Sequence, residues 1–477
     1  MSGSRSTAAA MTRAERLDRL PFTREHGRLL GGSGIGWALD AMDVGLISFV
    51  MAALAQQWQL DDTQLGWIGS IGFVGMALGA TLGGLLADRI GRRNVFALTL
   101  LVYGVATGAS ALATSVAALL VLRFVVGLGL GSELPVASTL VSEYAPTRIR
   151  GRLVVVLEAF WAVGWLAAAL IGWVVIAGSD NGWRWALALG AVPAVYALYV
   201  RRAIPESVRF LESRGRHAEA EAAVRRFEQS PPLFRATGPV TPAGEREARA
   251  GTVATSGERG SGPVTDRPAG RPGAAAPAGT SGPAALWSPA LRRRTGGLWA
   301  VWFLLNFAYY GAFTWLPTLL AADGSGLVRS FGYTVVITAA QLPGYAAAAY
   351  LIERWGRRPT LSTFLVGAAG AAFLFAIADG TALVITAGCL LSFFALGAWG
   401  ALYAVTPEMY PTAIRGTGAG WAAGFGRIAS ILAPLAVPIL NRAGDIWLVF
   451  TVFAAAFVLA ALATALLTEP RGRALEA

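Results

Sequence analysis

The sequence contains no lysine, one cysteine and two histidines. All 39 basic residues are therefore arginine, so the lysine of a phosphate-binding G-x-x-x-x-G-K-[ST] loop is missing and an ATP motor of that kind is excluded. Cys389 alone cannot form an internal disulfide. His26 and His217 are too few to build a His/Cys metal cluster. We therefore expect no cofactor and no metal, and a buried proton carrier would have to be a carboxylate.

Charged residues are also scarce. They make up 14% of the chain, whereas 55% of residues are hydrophobic and the mean hydropathy is +0.55. This balance excludes an ordinary soluble enzyme, and the apolar runs contain no nucleophile with a neighbouring base, so an enzyme is the least favoured class. The net charge of +11 does not indicate nucleic-acid binding, because the arginines stand in short clusters between apolar runs.

Twelve apolar runs follow one another, each long enough for the roughly 20 residues that cross a bilayer as a helix. They predict spans near residues 28–54, 64–86, 95–115, 117–140, 152–177, 183–202, 296–320, 329–352, 359–378, 381–405, 416–440 and 444–467. Lipid offers no partners to an unpaired backbone, so an all-α membrane protein is expected. Arginine-bearing loops alternate with arginine-poor ones, which predicts that both termini are cytoplasmic.

The chain also repeats itself. DRIGRR at 88–93 recurs as ERWGRR at 353–358, and EYAPTRIRG at 143–151 recurs as EMYPTAIRG at 408–416, both after 265 residues. One constant offset for two motifs predicts a duplicated six-helix half, here 28–202 and 296–467, with a substrate site between the halves near the bilayer midplane.

Three segments outside the halves are predicted to be cytoplasmic: the tails 1–27 and 468–477 and the connection 203–295. Within the connection, residues 230–283 are rich in Pro, Gly, Ala, Ser and Arg and should be disordered. This stretch is either a solvated tether or a partner-binding segment.

Family resemblance rests on motifs in both halves. GGLLADRIGRR resembles the hallmark loop of the major facilitator superfamily, and Pro205-Glu206-Ser207 with Arg209 resembles the signature after the sixth helix of its sugar and organic-ion porters. A closer resemblance, to bacterial niacin permeases, is carried by LDAMDVGLISF, GSELPVASTLVSEYAP and LLSFFALGAWGALYAVTPEMYPTAIRGTGAG.

The resemblance implies proton-coupled uptake of nicotinate, nicotinamide or a similar small aromatic metabolite, by alternating access across a bacterial cell membrane. The expected partners are an organic anion, protons and the lipid bilayer, and the chain is expected to act as a monomer without nucleic acid. The insert at 230–283 is longer than the central loop expected of these permeases.

Two aspartates in the first span are candidates for proton coupling. Asp40 and Asp43 are three residues apart, so both carboxylates lie on one helix face, about 18 Å from the cytoplasmic end. Burial and mutual repulsion favour the protonated form of at least one of them. The alternative is a static hydrogen-bonded pair that braces the helix, with Arg123 as a possible partner.

Three further charged residues lie in the fourth and fifth spans. Arg123, followed by glycines at 127, 129 and 131, resembles the fourth-helix motif that the superfamily associates with proton coupling, although such glycines by themselves indicate close helix packing. Glu133 is a further proton-coupling candidate. For Glu133 and Glu158 the alternative is pairing with loop arginines near the cytoplasmic ends of their spans.

Arg427 is predicted near the middle of the eleventh span. A guanidinium there would bind a substrate carboxylate bidentately. The alternative is an ion pair with an acidic residue of the other half that serves as a gate. Aromatic or amide side chains at a similar depth could hold a flat ring, although most such aromatics merely pack. The candidates are Tyr309, Tyr310, Gln341, Trp161 and Trp399, with Trp165, Phe393 and Phe394 as further aromatics.

The repeated loop motifs predict a cytoplasmic gate. In this hypothesis Gly84 permits close helix approach, while Asp88 pairs with arginines at the N-terminal end of a helix in the other half. Making and breaking such contacts would shift the inward-facing and outward-facing populations. The candidates are Gly84, Asp88, Arg92, Glu143, Glu353, Arg357 and Glu408.

Two rival functions remain open at this stage. The same fold could carry another organic acid, a sugar or an exported drug, but a neutral sugar needs no buried cation such as Arg427. A non-transporting membrane sensor or scaffold is the second rival. Deleting residues 230–283 separates the two, because a transporter would keep its flux and a sensor would lose its output.

Overall fold

The computed structural model describes residues 11–146, 148–233, 283–322, 326–411 and 414–468. Within these ranges the chain is almost entirely helical, and one antiparallel bridge joins Thr23 to Pro232. The helices of the first half are α1 (Arg13–Asp18), α2 (Arg24–Gln57), α3 (Asp62–Ile90), α4 (Arg92–Ser110), α5 (Val116–Tyr144), α6 (Arg150–Ile171), α7 (Gly182–Leu189) and α8 (Val192–Ala203). The remaining helices are α9 (Val208–Ser213), α10 (His217–Glu228), α11 (Arg292–Leu320), α12 (Leu327–Ala339), α13 (Gln341–Trp355), α14 (Arg357–Ala376), α15 (Thr381–Val405) and α16 (Arg415–Ala463).

Nine helical segments of the described chain are long and apolar enough to cross a membrane. The longest, Arg415–Leu466, breaks where Gly444 and Asp445 leave helical geometry, and Asp445 takes a positive φ of 56°. It therefore crosses twice, and α4 and α11 complete the twelve spans. The break agrees with the predicted boundary between the last two runs. Two other predicted spans are interrupted, one between α7 and α8 and one between α12 and α13.

The repeat noted in the sequence is visible in the backbone. Gly91 separates α3 from α4 with a φ of 97°, and Gly356 separates α13 from α14 with a φ of 99°. Only glycine adopts such angles without strain. The two glycines are 265 residues apart, so equivalent tight turns end the second helix of each half.

Small residues let helices within a half approach closely. A Cβ added to Gly127 would lie 2.0 Å from the Gly72 carbonyl oxygen, and one added to Gly131 would lie 2.1 Å from that of Met76. Ser132 Oγ also donates a 2.6 Å hydrogen bond to the Gly79 carbonyl. The glycines after Arg123 therefore serve helix packing, as their spacing indicated.

The two halves meet along α3 and the first part of α16. At one end of this interface Arg442 of α16 lies 3.9 Å from Asp62 of α3. Further along, Ser70 Oγ of α3 donates a hydrogen bond to the Ile431 carbonyl of α16 at 2.7 Å. Beyond these contacts a Cβ at Gly84, Gly420 or Gly424 would meet no atom within 4 Å. The helices are thus packed at the end that carries Asp62 and apart at the opposite end, here called the arginine-rich side because the 88–93 and 353–358 loops lie there.

The segments outside the spans pack against the arginine-rich side. Arg13 and Arg16 of α1 form ion pairs with Glu212, Glu221 and Glu228 at 2.7–3.1 Å. Leu233 N–H donates to the Phe22 carbonyl at 2.8 Å. The expectation of disorder from residue 230 onward is therefore wrong for residues 230–233, which the bridge at Thr23 holds in place. The rest of the predicted stretch, 234–282, and the tail beyond residue 468 lie outside the described residues.

Candidate functional site

The two aspartates of α2 have different partners. Asp43 accepts hydrogen bonds from Arg123 at 3.1 Å and from the Thr107 hydroxyl at 2.6 Å. The side chains of Asp43 and Arg123 are 0% and 4% exposed, so this is a buried ion pair. The charge of Asp43 is therefore neutralised within the first half, which matches the alternative of a bracing contact with Arg123.

Asp40 lies in a different environment. Its carboxyl faces Glu133 and the Tyr103 hydroxyl, and neither of its oxygens has a hydrogen-bond partner among the described residues. A Cβ on Gly36 would lie 2.8 Å from Glu133 Oε1, so α2 and α5 pack directly over this carboxyl. Both carboxyl groups are buried. Two such groups side by side are stable only if they hold a proton or meet a cation.

Glu133 and Glu158 do not pair with loop arginines, and that expectation is wrong. Both are fully buried, and their side chains form no ion pair within the described ranges. Glu158 instead faces the indole of Trp37, whose ring centroid lies 4.9 Å from that of Trp161. The packing of α2 against α6 and α5 keeps both glutamates inside the bundle, away from the loops.

An aromatic cluster spans the interface between the halves. Trp165 of α6 lies edge-on to Tyr309 of α11 with ring centroids 5.8 Å apart. Tyr309 lies 5.1 Å from both Tyr310 and Trp399, and Phe73 of α3 lies 4.6 Å from Tyr310. The sequence candidates Tyr309, Tyr310 and Trp399 therefore form one cluster, which both halves line.

Several polar atoms of this cluster lack partners. In the described chain the hydroxyls of Tyr309 and Tyr310, the indole nitrogens of Trp161 and Trp165 and the whole amide of Gln341 are buried without a hydrogen-bond partner. An unpaired polar group in a membrane interior costs several kcal/mol. Their convergence indicates a site for a polar ligand or for water, because packing alone does not require these atoms.

Arg427 stands at the border of this cluster. Its Nη1 lies 3.8 Å from the Met76 sulfur of the other half. Its positive charge interacts electrostatically with Tyr310, Glu158 and Asp40. The described residues form no ion pair with it, so the alternative of a closed inter-half ion pair does not hold in this conformation. The residue is partly exposed, whereas the aromatic cluster above it is buried.

Two further aromatics lie elsewhere. Inside the second half Phe393 stacks on Phe364 with ring centroids 5.7 Å apart, and Phe394 lies edge-on to Phe364 at 5.8 Å. A Cβ on Gly367 would lie 2.4 Å from the Phe394 ring. Both residues therefore serve helix packing and lie outside the aromatic cluster.

The first gate motif differs from its prediction at two positions. Gly84 has open space around it, whereas a Cβ on Gly83 would lie 2.3 Å from that of Ser132, so the close approach occurs one residue earlier. Asp88 pairs with Arg92 of its own loop at 3.0 Å and is 72% exposed. The prediction that Asp88 reaches the other half is therefore wrong here, because α3 and α16 are apart on this side.

Glu206 is a residue whose role the sequence reasoning missed. Its carboxylate accepts a hydrogen bond from the Arg93 backbone N–H at 3.1 Å, at the start of α4. A Cβ on Gly91 would lie 2.3 Å from this carboxylate. The Tyr144 hydroxyl donates to the Glu206 carbonyl at 2.6 Å. A helix N-terminus attracts an acidic group. The glycine of the repeated loop and the Pro-Glu-Ser signature together could therefore have predicted that Glu206 binds the start of α4.

The remaining gate candidates pair within and between the halves. Arg357 bonds Glu408 at 2.6 Å, and Arg92 lies near Glu143, which also accepts a hydrogen bond from the Ser207 hydroxyl. Each of these two Arg/Glu pairs is the 265-residue repeat of the other. Glu353 reaches Arg152 of the first half at 2.9 Å, and both side chains are more than 60% exposed. This pair joins the halves on the arginine-rich side.

Comparisons with known proteins agree with this arrangement. The profile of the sugar (and other) transporter family matches residues 33–254 and 274–477. The niacin transporter NiaP of Acinetobacter baylyi is 44% identical over 472 residues, which cover 98% of this chain and 99% of that protein. A Bacillus subtilis protein provisionally named niacin/nicotinamide transporter NiaP is 44% identical over 434 residues, covering 91% and 93%.

A solved structure shares the fold. The Escherichia coli xylose transporter XylE, in a partially occluded inward-open conformation, superposes with a TM-score of 0.72. The match covers 95% of this chain and 100% of that one at 18% identity. The twelve spans of the described residues, the duplicated halves and the family match over most of the chain all agree. This chain therefore belongs to the sugar (and other) transporter family of the major facilitator superfamily.

Proposed function

We propose that this chain is a proton-coupled importer of nicotinate, or of nicotinamide or a similarly small aromatic acid. The names of the two relatives at 44% identity support this substrate class. The structural observation that carries the proposal is the position of Arg427, which lies without a carboxylate partner in the described chain beside a buried aromatic cluster with unpaired polar atoms. A neutral sugar would leave that guanidinium uncompensated.

In this proposal the carboxylate of nicotinate bonds Arg427 and the Tyr310 hydroxyl, which lie close together. The pyridine ring packs against Tyr309, Trp399 and Trp165, because a small flat ring fits among edge-on and tilted aromatic rings. The amide of Gln341 can donate to the ring nitrogen. These contacts would satisfy polar atoms that are otherwise unpaired.

Proton coupling is assigned to Asp40 with Glu133. The two carboxyls share a buried site in which no described cation is in hydrogen-bonding contact, so they can share one proton and ionise together only at high cost. Asp43 has no such freedom, because Arg123 neutralises it. When the proton leaves, the negative charge on Asp40 lies within electrostatic reach of Arg427. This charge would compete with the substrate anion for the guanidinium and weaken substrate binding. Proton release would thereby be coupled to substrate release.

Alternating access would follow from the contacts between the halves. The chain would act as a monomer in a bacterial cell membrane with both termini cytoplasmic, so that the arginine-rich side faces the cytoplasm. The separation beyond Met76 and Arg427 then corresponds to an inward-facing form. Closing this side would bring α3 and α16 together at Gly84, Gly420 and Gly424, where space remains.

Uptake into proteoliposomes tests the proposal. Purified protein would be reconstituted, and radiolabelled nicotinate and nicotinamide would be supplied separately, with and without an inward proton gradient. Accumulation of nicotinate that a protonophore abolishes is the expected result. Net uptake of nicotinate that reaches the same level with and without the gradient would contradict the coupling, and the absence of both binding and uptake would contradict the substrate. Unlabelled xylose, added in excess, should not compete.

A further inference from the structure

We propose a second ligand site, for the phosphate group of an anionic phospholipid, at the membrane-facing start of α2. A cavity of about 560 Å³ opens there between α2 and α10. Four guanidiniums line it, from Arg24, Arg28, Arg225 and Arg226. The site is separate from the substrate cluster, and nothing in the proposed transport reaction uses it.

The charges of the site do not cancel. One acidic side chain, Glu25, lines the cavity together with the four arginines. It is 10% exposed and bonds Arg28 at 2.6 Å and Arg226 at 2.7 Å. A single buried carboxylate thus pairs with two guanidiniums and cannot neutralise both. Arg24 forms no ion pair with any described carboxylate.

The fourth arginine belongs to a balanced cluster. Arg225 bonds Glu221 at 3.1 Å, and Glu221 also pairs with Arg13 and Arg16. Arg13 and Arg16 have further partners in Glu212 at 2.8 Å and Glu228 at 2.7 Å, so three carboxylates serve these three guanidiniums. The net positive charge of the cavity therefore comes from its other three arginines, which share the single carboxylate of Glu25.

The walls of the cavity are fixed by backbone contacts. Arg24 N–H donates to the Pro231 carbonyl at 3.0 Å, and Glu25 N–H donates to the Ser230 hydroxyl at 3.2 Å. These bonds hold the chain after α10 against the first turn of α2. The backbone segments that carry the arginines are therefore held together around the cavity, while the guanidiniums remain exposed to a ligand.

The position of the site favours a lipid. Arg28 directly precedes Leu29, where the apolar run of α2 begins, so the cavity lies at the level where phospholipid headgroups meet the hydrocarbon. Guanidiniums bind phosphate oxygens bidentately, and basic pockets at this depth are suited to anionic headgroups. Free inorganic phosphate carries the same chemistry without the acyl chains, so the experiment must distinguish the two sources.

Lipid retention by the purified full-length protein tests the proposal. Native mass spectrometry would compare binding of phosphatidylglycerol and phosphatidylcholine to the wild type and to Arg24→Gln/Arg28→Gln. The matched control is Arg201→Gln/Arg202→Gln, which removes two exposed arginines at the end of α8, outside the cavity. A basic residue near an anionic surface contributes about fivefold, so the double variant should lose about 25-fold in phosphatidylglycerol affinity. Phosphatidylglycerol affinity of the control should change less than about twofold, because the control keeps all four arginines of the cavity, and phosphatidylcholine binding should change as little, because that lipid has no net charge.

The other outcomes are equally decisive. If inorganic phosphate displaces the lipid and binds alone with the same dependence on Arg24 and Arg28, the site is upheld with a soluble source. Equal loss in the cavity and control variants, or no loss in either, overturns the proposal. If the double variant fails to fold, as judged by size-exclusion chromatography, Arg24→Gln alone replaces it. Arg24 has no ion pair with a described carboxylate to lose, and about a fivefold effect is expected.

Discussion

Arg427 and Met76 meet across the two halves, with the guanidinium Nη1 3.8 Å from the thioether sulfur. A thioether is a weak hydrogen-bond acceptor and cannot compensate a positive charge. Two acidic groups within electrostatic reach, Glu158 and Asp40, are buried, and in the described chain neither forms an ion pair with the guanidinium. The cation therefore remains available to an incoming anion at the point where the packed part of the interface ends.

Replacing Arg427 should impair nicotinate transport more than that of nicotinamide. We expect Arg427→Gln to lower the kcat/KM of nicotinate uptake about 100-fold, because each charged hydrogen bond that is lost costs about 1.5–3 kcal/mol. Arg427→Lys should retain part of the rate, since it keeps the charge without the bidentate geometry.

The same helix offers the control for this variant. Arg442 lies 3.9 Å from Asp62 and is 60% exposed, so Arg442→Gln should leave nicotinate uptake within about twofold, as expected for an exposed ion pair. Equal losses in the two variants would mean that Arg427 acts through folding and not through the substrate.

The two aspartates of α2 should separate coupling from stability. Asp40→Asn should abolish gradient-driven accumulation of nicotinate while nicotinate exchange at equilibrium continues, because the proton carrier is lost and the substrate contacts remain. Asp43→Asn should instead destabilise the protein by about 3–5 kcal/mol, since it leaves the buried guanidinium of Arg123 unpaired. Transport assays and thermal unfolding in detergent measure the two effects.

A double variant checks the second half of this prediction. Asp43→Asn/Arg123→Gln removes both charges of the buried pair and should recover most of the thermal stability lost in Asp43→Asn. If Asp43→Asn unfolded normally but lost coupling, the proton would have been assigned to the wrong aspartate.

The distinction between these aspartates could not be predicted from the sequence. Their spacing places both on one helix face, and in the structure both carboxyls meet residues of α4 and α5. Which of them meets a cation depends on α4 and α5, because Thr107 and Arg123 approach Asp43 from those helices. Contacts between distant helices are not encoded in the local spacing of residues on one of them.

The small-residue pattern gives a matched pair of variants. Gly83→Leu should lower the expression and thermal stability of the protein strongly, because even a Cβ there would lie 2.3 Å from that of Ser132. Gly84→Ala should unfold like the wild type, since its Cβ would meet no atom within 4 Å. The measurement is thermal unfolding of the purified variants. A destabilised Gly84→Ala with a normal Gly83→Leu would contradict the packing of α3 on α5.

Exchanging the charges of the inter-half pair should change turnover and not substrate affinity. Glu353→Arg places like charges opposite Arg152 and should alter the maximal rate of uptake by no more than about fivefold, because an exposed pair contributes about 1 kcal/mol or less. The KM for nicotinate should stay constant. Restoration by Arg152→Glu/Glu353→Arg would establish the contact, and no rescue would argue that each residue acts separately.

The contact between α1 and α10 should persist to low pH. The ion pair with Arg16 is the main cause that lowers the pKa of Glu221 to about 2 from 4.5. A lowered pKa in the folded state stabilises the contact fully above pH 4.5, and this contribution declines as the pH falls from 4.5 toward 2. Hydrogen exchange of the α1 amides should therefore be unaffected by Glu221 between pH 7.5 and about 5. A protonation-linked loss of protection already near pH 6, absent in Glu221→Gln, would contradict this assignment.

Most of the architecture followed from patterns that repeat along the chain. Apolar runs and the 265-residue offset predicted the helices and the duplication, because hydrophobic length and sequence repeats are local properties. The predicted depth of Tyr309, Tyr310 and Trp399 in the membrane was enough to select them as candidates, and in the structure their rings lie in one cluster. The gate was less predictable, since the partner of Asp88 depends on which conformation the halves adopt.

Transport by the Arg427→Gln protein in proteoliposomes tests the central claim most directly. Uptake of radiolabelled nicotinate would be followed under an inward proton gradient, beside the wild type and Arg442→Gln. We predict uphill accumulation of nicotinate by the wild type and by Arg442→Gln, its collapse with a protonophore, and its absence in Arg427→Gln. Accumulation by Arg427→Gln at the wild-type rate, or none by the wild type itself, would contradict carboxylate recognition by this arginine.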